Sequence, residues 1–331
     1  MADEDSKVVV ITGASSGIGR ATAHRFAAAG YGVVVAARRK AELQIVAKEC
    51  EEYGVRAIPV VVDTTDDAGM HKLGEKAVDA FGHFDVWVND AGVYLAGKFE
   101  DTPLEDMRRV MDTNFFGYVH GSHTALTHFR SQGSGVLINI SSVNASAPMP
   151  YVGVYSASKA AVRALDESLR MELRIDGLHN DIHVCTVMPS IVDTNIFQNA
   201  ANYTGKEVQA PEPVYDAEYV ARHIFALAEH PRREVVVGPA GKALMAENAH
   251  MPRLYERSIT QYSRMSGLTD KPSPTSDGNL FSSIEENRGI DGGWREHRLR
   301  ADHLNIGISV GLAVAAAGMA GAGYVLSKRK H

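Results

Sequence analysis

Tyr155-Ser-Ala-Ser-Lys159 places a phenol and an ammonium four positions apart at the head of a stretch with helical period, so both side chains fall on one helix face. A free phenol has a pKa of roughly 10, and a neighbouring ammonium favours its anion, so such a pair can pass a proton near neutral pH. Taken alone, this spacing occurs by chance on many helices. Ser142, thirteen residues earlier at the end of an apolar run, adds a hydroxyl that can hold a substrate oxygen against the phenol.

A second chemical feature opens the chain. The apolar run ending at Thr12 leads into Thr12-Gly-Ala-Ser-Ser-Gly-Ile-Gly19 and then a helical stretch. Gly13, Gly17 and Gly19 allow a tight turn, close approach of backbone to a pyrophosphate and tight helix packing, and the helix N-terminus offers free amides and a positive dipole end. A strand before and a helix after supply the context this signature requires, so a dinucleotide site is expected here. The next run ends in Ala36-Ala37-Arg38-Arg39. Ala37 stands where an acid would take the ribose 2′-hydroxyl of NAD, and Arg38 accommodates a 2′-phosphate, so the expected cofactor is NADP(H). Asp63 and Asn89 close the third and fourth runs, at the sheet edge where ligands bind, and both also suit helix caps.

Seven short β-branched runs, at 8–12, 33–37, 57–63, 84–89, 136–140, 182–187 and 234–238, alternate with helix-like stretches, the longest at 104–130 and 155–176. The runs are nearly continuous in apolar character, as burial on both faces of a parallel sheet requires. The expected fold class is α/β, a doubly wound parallel seven-stranded sheet with helices on both faces.

Composition bounds the partners. The 331 residues are 45% hydrophobic and 22% charged with a formal charge of −6, which excludes whole-chain disorder and gives no bulk field for a nucleic acid. Residues 1–7 lack the apolar core of a secretory signal, so export is not expected. Cys50 shares a helical face with Leu43, Val46 and Ala47, and Cys185 sits in an apolar run; both read as core thiols. The 14 histidines, His120, His123 and His128 among them, show no metal-ligand spacing, so no metal is expected.

The chemistry-bearing part is expected to fill 1–265. From 266 to 303 the chain is rich in Gly, Pro, Ser and acidic residues without period, which predicts a flexible linker. Residues 304–326 carry no formal charge over 23 residues, enough at about 1.5 Å per residue to cross a hydrocarbon core of about 30 Å, and 327–331 form a basic tail. A single transmembrane helix is expected there, against the blander reading of a buried C-terminal helix. Gly307, Gly311 and Ala315 give it small-residue spacing, and Arg295, Arg298 and Arg300 flank its other side. The expected localisation is at a membrane through this helix, with the catalytic domain in the cytoplasm.

Taken together, Thr12-Gly-Ala-Ser-Ser-Gly-Ile-Gly19, Asn89-Asp-Ala-Gly92, Asn114, Ser142 and Tyr155-Ser-Ala-Ser-Lys159 stand in the order of the short-chain dehydrogenase/reductase family, which the chain resembles over residues 7–238. The resemblance implies a Rossmann-type fold and a tetrad: Tyr155 as general acid and base, Lys159 lowering its pKa and binding the nicotinamide ribose, Ser142 orienting the substrate oxygen, and Asn114 holding a water that relays protons. It further implies cofactor contacts at Gly13, Ser15, Ser16, Gly17, Ile18, Gly19, Arg38, Asp63, Asn89, Ala91, Gly92, Pro189 and Thr194, besides Tyr155 and Lys159. Two departures stand out: Asp90 replaces a usual Asn, and Ser190 replaces a usual Gly after Pro189.

Substrate choice is expected in 195–214, with Asn144, Met149, Val152 and Tyr94 as wall residues and Ser142, Asn144 and Tyr155 touching substrate. With an anchor, a lipophilic ketone or alcohol is expected by analogy. The resemblance also implies a homodimer or homotetramer through the two long helices. A nucleotide-binding redox sensor or scaffold on the same fold is the alternative, disfavoured by the presence of both Tyr155 and Lys159.

Overall fold

The structure, a computed structural model, describes residues 6–295 except 285 and 287. All seven expected runs are strands of one parallel sheet: β1 (Val8–Thr12), β2 (Gly32–Ala37), β3 (Ala57–Val61), β4 (Val86–Asn89), β5 (Gly135–Ile140), β6 (Ile182–Pro189) and β7 (Glu234–Val237). Their order is β7-β6-β5-β4-β1-β2-β3. The helices are α1 (Gly17–Ala28), α2 (Lys40–Glu51), α3 (Asp67–Phe81), α4 (Leu104–Met111), α5 (Gly117–Gln132), α6 (Gly153–Ile175), α7 (Ala217–Glu229), α8 (Pro239–His250) and α9 (Pro252–Ser266).

The period of two along a strand decides which helix each residue meets. Val9 and Ile11 pack with Phe26, Leu43, Val46 and Ile224, so α1, α2 and α7 cover one face. Val8 and Val10 pack with Met70, Leu73, Phe129 and Leu173, so α3, α5 and α6 cover the other. With both sets buried, β1 has no face left for water, which is why its sequence is apolar throughout. Cys50 and Cys185 lie free in the first of these cores, where burial pushes their thiols up to about 12 and about 11.

From β1 the chain winds one way through β2 and β3, and from β4 it winds the other way to β7. The reversal leaves a crevice at the carboxyl ends of β1 and β4, where sheets of this class take their ligands. The expected helix over 104–130 is interrupted: α4 passes into α5 through a single π-helical turn, Asp112–Phe116, which carries Asn114. Such turns are rare and occur mostly at functional sites.

Residues after α9 differ from expectation. Leu268–Pro272 pairs antiparallel with Lys206–Val208. Ser276 exchanges backbone hydrogen bonds with Asn202 at 2.8 and 3.0 Å, and Leu280 is fully buried beside Val93, Leu95, Val110 and Ala201. The flexible linker expected at 266–303 is therefore laid along the domain in its described part. Backbone pairing of this kind depends on carbonyls and amides, which leave no period in the sequence.

The span expected at 304–326 and the tail at 327–331 lie outside the described residues. Among the described residues no helix is long and apolar enough to cross a membrane. The longest, α6 at 23 residues, carries Lys159, Arg163, Asp166 and Arg170 along its length. The fold of the described residues is thus corrected to the doubly wound sheet, with no transmembrane helix among them, and the membrane-anchored placement of a cytoplasmic catalytic domain loses its structural basis.

Candidate active site and cofactor cleft

β1 ends at Thr12 and the chain turns sharply into α1. Gly13 and Gly17 hold φ of 73° and 55°, values that L side chains rarely adopt. A Cβ on Gly13 would lie 2.8 Å from the Ala91 amide nitrogen, and one on Gly19 would strike the Gly13 carbonyl. The turn is thus a cradle that only glycine can form, pressed against the loop after β4.

A cleft of about 270 Å³ runs from this turn across the sheet edge. Of the expected cofactor contacts it is lined by Gly13, Ser15, Ser16, Gly17, Ile18, Arg38, Asp63, Ala91, Gly92, Pro189 and Thr194, together with Tyr155 and Lys159. Ser142 and Asn144 line it too. Three expected residues do not. Gly19 packs behind the turn, where its amide bonds Asp90. Asn89 is fully buried, accepting from Trp87 Nε1 at 2.8 Å and donating to Asn139 Oδ1 at 2.8 Å. Asn114 is also fully buried: its Oδ1 accepts the Val93 amide at 2.8 Å, while its Nδ2 donates to the Val93 carbonyl at 2.9 Å and to Ser158 Oγ at 3.2 Å. The side chain expected to hold a relay water is spent on bracing the backbone.

Tyr155 sits in the first turn of α6, and Ser142 follows β5 as the cap of a short 3-10 turn. The Ser142 hydroxyl accepts the Asn144 amide at 3.1 Å, which fixes its position, and it faces the Tyr155 phenol closely enough to lower its pKa. Burial pushes Tyr155 up to about 12, with the Ser142 hydroxyl pulling it down and the Asp90 charge adding to the rise. Lys159, one turn along, donates to the Ile140 carbonyl at 2.8 Å and to Tyr118 Oη at 3.1 Å. Burial lowers its pKa, against the pull of Asp90. Burial correspondingly raises the Asp90 carboxyl, against the Lys159 ammonium and the Gly19 amide.

At the adenosine end, Arg38 and Arg39 line the cleft with Asp63. Against burial, which raises it, the Thr65 amide and the Arg109 guanidinium at 2.7 Å hold the Asp63 carboxyl below its usual range. A dinucleotide fits this donor set: a glycine cradle at a helix N-terminus for the pyrophosphate, and guanidinium groups at the end of β2. Ser190 Oγ, lining the other end, is buried without a hydrogen-bond partner among the described residues, a group that a bound ligand can satisfy.

Sequence reasoning missed Tyr118 as the partner of Lys159, and Asn279, Ser283 and Ile284, which line the cleft from the far end of the chain. Tyr118 falls on the same helix as Asn114 with no motif of its own. The late residues act through backbone groups.

The sequence model of the short chain dehydrogenase family matches residues 7–204. An uncharacterized oxidoreductase, YxnA, of Bacillus subtilis is 35% identical over 297 residues, 88% of this chain and 83% of that one. Among solved structures, an alcohol dehydrogenase from the archaeon Thermococcus sibiricus complexed with 5-hydroxy-NADP aligns with a TM-score of 0.61 at 25% identity, over 70% of this chain and 96% of that one. A short chain dehydrogenase/reductase from Burkholderia phymatum in complex with NAD aligns with a TM-score of 0.68 at 26% identity, over 83% and 100%.

Proposed function

Because the chain belongs to the short-chain dehydrogenase family, and is thereby an oxidoreductase, we propose that it interconverts a lipophilic alcohol and its carbonyl compound with NADP(H), using Tyr155 as general acid and base. The observation that carries this reading is that Ser142 and Tyr155 line one cleft with the glycine turn and Arg38. When bound, the nicotinamide supplies or accepts the hydride.

The chain's own groups do the rest. In reduction Tyr155 gives its phenolic proton to the carbonyl oxygen, which Ser142 holds in place, and in oxidation the phenolate takes the hydroxyl proton. Lys159, one turn along α6 from Tyr155 and fixed by Ile140 and Tyr118, lines the same cleft and offers donors to a ribose. Asn114 acts through Val93, which it fixes at the cleft wall.

Preference for NADP(H) is supported by Arg38 and Arg39 at the end of β2, with no acid at Ala37. A lipophilic substrate is supported by the walls Tyr94, Met149, Phe197, Leu244 and Tyr262. Tyr94 stacks edge-on against both Tyr155 and Phe197, at 4.8 and 5.3 Å between ring centres, so an apolar surface begins at the catalytic phenol. The proposal extends to a homodimer or homotetramer through α5 and α6, whose ends expose Phe116, Met171 and Ile175.

NADPH and NADH oxidation by the full chain against aldehydes and lipophilic ketones, with Tyr155→Phe as control, tests the reading. NADPH-preferring turnover abolished in the variant is expected. Tight NADPH binding with no turnover on any carbonyl would overturn it in favour of a sensor.

A further inference from the structure

Two pieces of chain, 276–284 and 288–295, meet the cleft: the first lines it through Asn279, Ser283 and Ile284, and the second is bonded to Gly17, Asn195 and Thr194, which line it. Arg38 donates to the carbonyls of Asn279 at 2.7 Å and Leu280 at 3.3 Å, and Arg39 donates to that of Ile284 at 3.2 Å. The Gly17 amide, in the first turn of α1, donates to the Gly289 carbonyl at 3.2 Å. The second piece is clamped at its far end: the Asp193 carboxylate accepts the amides of Gly292, Trp294 and Arg295 at 3.0, 2.9 and 3.2 Å, and Trp294 Nε1 donates to the Thr194 carbonyl at 3.1 Å. Leu280 anchors the first piece by its buried side chain.

We propose that these two pieces form the outer wall of the cofactor site, holding Arg38 and Arg39 by backbone carbonyls so that the dinucleotide exchanges only when they come away. The inference rests on the dinucleotide reading above and adds the part of the chain that governs retention and discrimination.

Three observations favour a wall over a plug. The cleft stays open with these pieces in place, lined by Gly13 and Lys159 together with Asn279, Ser283 and Ile284. A guanidinium has five N–H donors, and the two carbonyls leave Arg38 others to offer a phosphate. Its orientation is set before the ligand arrives, which removes the ordering cost that a free arginine would incur on binding. The match to YxnA spans 88% of this chain, a stretch long enough to reach past residue 284 wherever it begins, so the first piece is not an appendage peculiar to this sequence.

The test is the release rate of NADPH from the full chain, followed by stopped-flow fluorescence after a chase with excess NADP⁺, in wild type, Trp294→Ala and Gly292→Val. A Cβ on Gly292 would meet the Thr194 carbonyl and Trp294 Nε1, so valine there forces the clamp apart, while Trp294→Ala loosens it without a clash. The expected result is release at least tenfold faster in both variants, with the ratio of NADPH to NADH affinity reduced. Release within twofold of wild type in the folded variants overturns the wall, and tighter binding by the variants shows a plug instead. If wild type holds NADH as well as NADPH, the NADP preference fails, yet the release rate of NADH still decides the wall. Hydrogen exchange of the Gly17 amide in the unsubstituted chain gives an independent reading: protection deepened by NADPH supports the wall, and rapid exchange unchanged by NADPH overturns it.

Discussion

Asn114 pairs with both backbone groups of Val93, its amide taking the place of a neighbouring strand at the cleft wall. The π-helical turn between α4 and α5 delivers it there. The wall after β4 therefore owes its shape to one side chain rather than to the sheet ladder.

Asn114→Ala leaves the buried Val93 amide and carbonyl without that partner, at a cost of about 1–3 kcal/mol for each group stranded. A loss of stability of at least about 2 kcal/mol is expected in urea unfolding, with weakened cofactor binding because Val93 lines the cleft. A variant as stable as wild type would mean that Asn114 acts only through a bound water.

The parallel sheet was legible because its physics is written in side chains: β1 is apolar at every position because both its faces are buried. The glycine turn was legible because Gly13 needs a positive φ and no Cβ. Gly19, Asn89 and Asn114 belong to the same motifs but support the cleft from behind, a distinction that spacing does not encode. The course of 276–284 and of 288–295 was illegible for a different reason. Gly289 and Asn279 contribute carbonyls, which every residue has, and only the burial of Leu280 left a trace in side-chain chemistry. The tail beyond, read from apolar composition as a membrane span, has no counterpart among the helices of the described residues.

Arg38 is held by Asn279 and Leu280 with donors to spare, so its removal should cost both nucleotides the wall contacts and NADPH the 2′-phosphate contact besides. Arg38→Gln is expected to weaken NADPH binding about 10- to 100-fold more than it weakens NADH binding, the worth of one or two charge-assisted hydrogen bonds. Fluorescence titration with both nucleotides checks it. Equal losses for both would place Arg38 in general support of the cleft.

Burial raises Tyr155 to about 12, so near neutral pH the phenol carries its proton. That form is the acid needed for reduction, while the phenolate needed for oxidation is scarce and grows as pH rises. kcat/KM for alcohol oxidation is therefore expected to climb from about pH 6 to about pH 9 while carbonyl reduction does not. Ser142→Ala removes the hydroxyl that lowers the phenol's pKa, so it should shift the oxidation profile to higher pH as well as slow the reaction. An unshifted profile would assign Ser142 to substrate orientation alone.

Asp166, buried on α6 and outside the cleft lining, makes the sheet core itself sensitive to pH. It accepts from Asn139 Nδ2 at 2.5 Å and Thr186 Oγ1 at 2.6 Å, yet burial outweighs both and raises its carboxyl from 3.8 to about 7. Between those two values the folded protein holds a proton that the unfolded chain has lost. Stability from this group is thus full below pH 3.8 and is lost as pH rises toward about 7. Asp166→Asn cannot titrate and keeps one acceptor, so its stability relative to wild type should improve by roughly 3 kcal/mol between about pH 5 and about pH 8. Urea unfolding of both proteins at about pH 5 and about pH 8 measures the change, in which the titrations they share cancel. A difference independent of pH would mean that Asp166 stays ionised in the folded core, its charge carried by Asn139, Thr186 and the Arg170 guanidinium.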